Sequence, residues 1–119
     1  MAIFTHVVLG TNDLEKSRKF YDATLGALGL KRVMNMDHAS LWGKEGPEFM
    51  VTKPANGKPA SAANGGTVGF AASDRKAALK AGGTDEGAPG PRSFTPTAYA
   101  AYVRDPDGNK LCAYSFVPG

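Results

Sequence analysis

The stretch Tyr102–Phe116, YVRDPDGNKLCAYSF, gathers several side chains able to do chemistry. Asp105, Asp107 and Asn109 share the every-second-residue spacing with which a calcium loop presents oxygen ligands. A calcium loop begun at Asp105 needs a glutamate at its twelfth position, and Phe116 stands there. The segment reads instead as a turn, in which Pro106 fixes φ and Gly108 supplies a conformation other residues avoid. Beyond it the chain alternates, with Leu111, Ala113 and Ser115 on one face and Cys112, Tyr114 and Phe116 on the other. Cys112 is either a side chain displayed into a cavity or a small buried apolar residue. Nothing adjacent supplies the cationic setting that makes a thiol a nucleophile. His6, in the apolar run IFTHVVLG, is a general base or a hydrogen-bonded cavity or core residue. Arg92, in the loop GAPGPR, either faces an anionic group or is an exposed loop residue. Trp42, Phe49, Tyr99, Tyr102, Tyr114 and Phe116 fall in runs of strand formers, the composition of a small-molecule cavity. Met50, beside Phe49, is a further cavity or core residue. GTNDLE and GAPGPR lack phosphate-loop spacing.

The elements that must position these residues come in two similar halves. PANGKPASAANGG, Pro54 to Gly66, has no periodicity and reads as a linker. The first half opens on the strand run IFTHVVLG and the second on TVGFAAS. Seven residues after His6 comes Asp13, and seven after Thr67 comes Asp74, each suited to cap a helix start. DLEKSRKFYDATLGALG places Leu14, Tyr21, Leu25 and Leu28 on one stripe, the amphipathic pattern, with Gly26 or Gly29 to end it. DRKAALKAGG predicts a shorter second helix. Three strands follow each: KRVMNMD, ASLWG and EFMVTKP, then a weak one near TDEGAP, AYAAYVRD and NKLCAYSF. Met50 lies 44 residues after His6 and Cys112 lies 45 after Thr67. A repeat therefore matches His6 to Thr67 and Met50 to Cys112 on the first and last strands of each half.

A chain of 119 residues fits one domain, residues 1–119. Within it, one module spans about 1–54, a linker about 55–65 and a second module about 66–119. With one cysteine there is no internal disulfide, as in a reducing cytoplasm. No stretch approaches the ~20 apolar residues of a membrane span, and the N-terminus lacks a signal-peptide pattern. The net charge of +3 comes from scattered basic residues, not from a face interleaved with aromatics, which argues against a nucleic-acid partner.

THVVLGTNDLEKSRKFYDATLGALGL, GAPGPR and VRDPDGNKLCAYSF together resemble the vicinal oxygen chelate superfamily, also called the glyoxalase/bleomycin resistance/dioxygenase superfamily. The resemblance covers nearly the whole chain. It implies an α+β fold of two βαβββ modules, whose mixed, curled sheets surround a cavity. Many members bind a divalent metal through one side chain from each of four strands, usually His, Glu or Gln. Carried over, His6 keeps the first such position. Met50, Thr67 and Cys112 stand at the other three, so the implied site is degenerate and no metal is expected. The resemblance implies a small-molecule-binding module whose cavity includes His6, Trp42, Phe49, Met50, Thr67, Arg92, Tyr102, Cys112 and Tyr114. The alternatives are a lyase or dioxygenase with altered ligands or with His6 as general base, and an interaction protein whose cavity is filled by its own side chains. The resemblance also implies a homodimer in which two chains share each cavity. Trp42 and Tyr102 are expected as surface aromatics that such pairing buries, with His6 and Cys112 near the interface.

Overall fold

The computed structural model describes residues 3–73, 90–91 and 99–115. Its elements run β1 (Val7–Gly10), α1 (Leu14–Gly26), β2 (Lys31–Asn35), β3 (Ala39–Gly43), β4 (Phe49–Thr52), β5 (Thr67–Ala71), β6 (Gly90–Pro91), β7 (Tyr99–Arg104) and β8 (Lys110–Ser115). They form two four-stranded mixed sheets, ordered β1-β4-β3-β2 and β5-β8-β7-β6. In each, the first strand of the module lies parallel to the last, and the remaining pairs are antiparallel. This is the paired βαβββ architecture read from the sequence. The expected second helix and the weak strand near TDEGAP lie outside the described residues, apart from the short β6 that follows.

The register carries the repeat down to single residues. Val7 and Val8 face Phe49 and Met50 in the first sheet; Val68 and Gly69 face Leu111 and Cys112 in the second. His6 precedes Val8 by two residues and Thr67 precedes Gly69 by two, so His6 and Thr67 occupy matching places.

Helix α1 starts where its cap requires. Asp13 is extended, and its Oδ1 accepts the Lys16 backbone N–H at 3.1 Å, satisfying one of the orphan donors of the first turn. Leu14, Ser17, Tyr21 and Leu25 form the buried stripe. The chain then reverses through Gly29, at φ +83°, a conformation that glycine adopts without a Cβ clash. Arg18 ties the helix to the sheet edge, donating from Nε to Ser40 Oγ at 2.7 Å and from a terminal nitrogen to the Met36 carbonyl at 2.8 Å.

One apolar cluster joins both modules. Tyr21, Leu25, Trp42, Phe49 and Val51 of the first pack with Leu111 of the second, and Val68, Phe70 and Val103 lie against them. The ring centroids of Phe49 and Phe70 stand 5.2 Å apart, edge to face, across the junction. Such aromatic pairs add about 0.5–1.5 kcal/mol beyond their buried area. Both sheets thus turn their inner faces to the same core, and the opposite faces point outward. No described helix is long and apolar enough to cross a membrane.

Candidate functional site

Strand alternation sorts the predicted site residues onto two faces. Trp42 and Phe49 oppose each other across β3 and β4 and belong to the inner face. Trp42 is wholly buried, and its Nε1 donates to Asp22 Oδ1 at 3.0 Å. This corrects the expectation of a surface tryptophan: at that position the chain faces α1, where an indole fills the space beside Tyr21.

Met50, Thr67, Cys112, Tyr102 and Tyr114 alternate with core residues and lie on the outer faces. His6 immediately precedes β1, is exposed, and shares a 3.0 Å hydrogen bond with Thr5 Oγ1 through Nδ1. On the first sheet Met34, Leu41, Met50 and Val8 form one cross-strand row through all four strands. Val8 and Met34 are nearly half exposed there. The corresponding row on the second sheet is Tyr102, Cys112 and Gly69. The Tyr102 and Tyr114 hydroxyls are 3.0 Å apart, and Lys110 Nζ lies 5.1 Å from the centre of the Tyr102 ring. Cys112 is buried, and its Sγ would stand 3.3 Å from a Cβ added at Gly69. Arg92 lies outside the described residues. The four family positions therefore divide between two outward faces of the chain: His6 and Met50 on one, Thr67 and Cys112 on the other.

As a ligand set these four do not fit a hard divalent ion. Such an ion takes carboxylate and imidazole, and here one imidazole meets a thioether, a hydroxyl and a thiol. Among the described residues no three His, Cys, Asp or Glu side chains converge.

A concave site does exist at the module junction. A pocket of about 410 Å³ is walled by Trp42, Phe49, Leu28, Leu30, Val68 and Phe70, with Phe4, Lys44 and Glu48 also lining it. Its volume falls in the range of roughly 300–1,000 Å³ typical of small-molecule sites. Of the residues expected to line a cavity, Trp42 and Phe49 line this pocket; Phe4, Phe70 and Lys44, which line it too, were not among those expected. Alternation puts Phe70 on the face opposite Thr67, but it gives no such signal for Phe4, and nothing local says that the two inner faces meet.

The turn Asp105–Asn109 holds that junction. Asp105 is buried and accepts four hydrogen bonds: from Tyr21 Oη at 2.5 Å, from the Asn109 backbone N–H and Nδ2, both at 2.8 Å, and from the Asp107 N–H at 3.0 Å. Asp107 accepts from the Asn12 N–H at 2.8 Å and from Ser17 Oγ at 3.2 Å, and Asn109 Nδ2 also reaches the Gly10 carbonyl at 3.2 Å. Gly108 closes the turn at φ +87°. Burial, with the Asp105 carboxylate beside it, pushes the Tyr21 phenol far above its ordinary range. The carboxylate oxygens of Asp105 and Asp107 are thus taken up by donors of the turn itself and of the first module.

Residues 3–113 match the family described as the Glyoxalase/Bleomycin resistance protein/Dioxygenase superfamily. The fold is similar to a glyoxalase/bleomycin resistance protein from Albidiferax ferrireducens T118, at 42% identity and a TM-score of 0.82, over 96% of this chain and 98% of that one. It is also similar to a lactoylglutathione lyase from Agrobacterium tumefaciens, at 21% identity and a TM-score of 0.68, over 96% and 92%. A glyoxalase-related enzyme from Fulvimarina pelagi, at 17% identity and a TM-score of 0.73, aligns over 97% and 88%. No curated protein matches the chain.

Proposed function

Since the chain belongs to the glyoxalase/bleomycin resistance protein/dioxygenase superfamily, we propose that it is a metal-independent member which binds a small organic molecule in the pocket at its module junction. The observation that carries this reading is the pocket, walled by Trp42, Phe49, Phe70, Leu28 and Leu30. An apolar ligand gains roughly 25 cal/mol for each Å² it removes from water there. The mismatch of His6, Met50, Thr67 and Cys112 with a hard metal supports the same reading over a metal-dependent lyase or dioxygenase. Trp42 is the only tryptophan and stands in the pocket wall, so its emission reports occupancy. Aromatic and branched aliphatic compounds are expected to shift that emission saturably. Thr5→Phe, at an exposed position of the lining, is expected to block the effect. Absence of any saturable response across such a series would refute the reading.

A second reading concerns the outer faces and is favoured by their direction. One chain presents its His6–Met50 face and its Thr67–Cys112 face outward from a common core. Two-fold pairing of chains is the commonest closed arrangement. It would set the first face of one copy against the second face of its partner, covering the Met34–Leu41–Met50–Val8 row and enclosing Tyr102 and Tyr114. His6 would then be the general base of a shared cavity. Light scattering tests the pairing: a mass near the 12.4 kDa of one chain, unchanged on concentration, removes it. Metal analysis of untagged protein tests the donor argument. Stoichiometric zinc, nickel, manganese or iron that is lost in His6→Ala would restore the metal-dependent lyase or dioxygenase.

A further inference from the structure

The lining of the module-junction pocket carries two charged residues, Lys44 and Glu48, beside walls that are otherwise mostly apolar. The two charges are not equivalent. Glu48 Oε1 accepts the Lys44 backbone N–H at 3.2 Å, so the carboxylate is bound back onto its own loop. The Lys44 ammonium has no such engagement: the ion pairs among the described residues join Arg18 to Glu15 and Arg32 to Asp22. An apolar cation entering the pocket meets a carboxylate that already accepts one backbone N–H. An apolar anion meets an exposed ammonium with no ion-pair partner among the described residues, on a chain whose net charge is +3.

Resting on the reading of this pocket as a ligand site, we propose that its ligand is an amphipathic organic carboxylate. The aromatic or branched aliphatic body sits against Trp42, Phe49, Phe70 and Leu30, and the carboxylate lies at the mouth on Lys44. The apolar walls supply most of the affinity, and the ammonium supplies the choice of charge, because a charge-assisted hydrogen bond is roughly twice as strong as a neutral one. A neutral amide of the same shape keeps the wall contacts and loses that contact.

Calorimetric titration of 4-butylbenzoate, 4-butylbenzamide and 4-butylbenzylamine into the wild-type chain, Lys44→Gln and Thr5→Phe tests the proposal. Lys44 is exposed, and its replacement leaves the core intact. The acid is expected to bind about tenfold more tightly than the amide. That gap should close in Lys44→Gln and narrow with added salt, and Thr5→Phe should weaken both compounds together. Equal affinity for acid and amide, tighter binding of the amine, or an acid preference that survives Lys44→Gln would overturn the ligand class while leaving the pocket a binding site. Binding of none of the three, or binding untouched by Thr5→Phe, would overturn the pocket reading itself.

Discussion

Tyr21→Phe removes one hydroxyl from the module junction and leaves the ring in place. The ring centroid lies 5.0 Å from that of Phe49 and 5.5 Å from that of Trp42, contacts that phenylalanine keeps. What is lost is the 2.5 Å hydrogen bond from Oη to Asp105 Oδ2. Asp105 retains its other three donors, so the variant strands no bare charge. The cost is therefore that of one hydrogen bond to a charged acceptor, about 1.5–3 kcal/mol. Against a total stability of roughly 5–15 kcal/mol, this should lower the melting temperature by about 5–15 °C. Equilibrium urea unfolding, followed by Trp42 emission and far-ultraviolet circular dichroism, measures it. Adding Asp105→Asn completes a double-mutant cycle, and a coupling of about 1–2 kcal/mol is expected for residues in direct contact. A Tyr21→Phe variant within about 0.5 kcal/mol of wild type, or a coupling near zero, would refute the view that this turn clamps the modules.

The same residue makes stability fall in alkali. The Tyr21 phenol is held protonated in the fold far above its ordinary range, whereas in the unfolded chain it ionises near pH 10. Its contribution is thus fully present below about pH 10 and is lost above it, by about 1.4 kcal/mol per pH unit. Urea midpoints on either side of that pH should show the slope, and Tyr21→Phe should flatten it. Gly43→Ala tests the tight hairpin between β3 and β4: an added Cβ would lie 1.6 Å from the Gly46 carbonyl oxygen. Backbone must shift to admit it, at a cost of about 3 kcal/mol, read as a lower unfolding midpoint, and an unchanged midpoint would contradict the described hairpin.

The periodicity of two and the stripe of Leu14, Tyr21 and Leu25 were legible because both are local consequences of backbone geometry. The Asp13 cap and the turn at Gly108 were legible for the same reason, since each is settled within four or five residues. The matched offsets of His6, Met50, Thr67 and Cys112 were legible as well, because a duplicated module repeats its spacing, and the strand registers reproduce that match. Composition identified Trp42 and Phe49 as cavity residues but gave no face for them.

Which face of each sheet meets the core was decided only by tertiary structure. Tyr21 finds Asp105 across 84 positions of sequence, Ser17 finds Asp107 across 90, and Asn109 reaches Gly10 across 99. No local pattern encodes such pairs. An alternating strand offers two faces, and burial goes to whichever one another element can cover. The inner faces of both modules were covered by each other and by α1, so Trp42 became core and His6 stayed exposed. The buried Asp105 carboxylate found donors in its own turn and the Tyr21 hydroxyl on the first module because a buried carboxylate must be satisfied by whatever donors the fold brings to it.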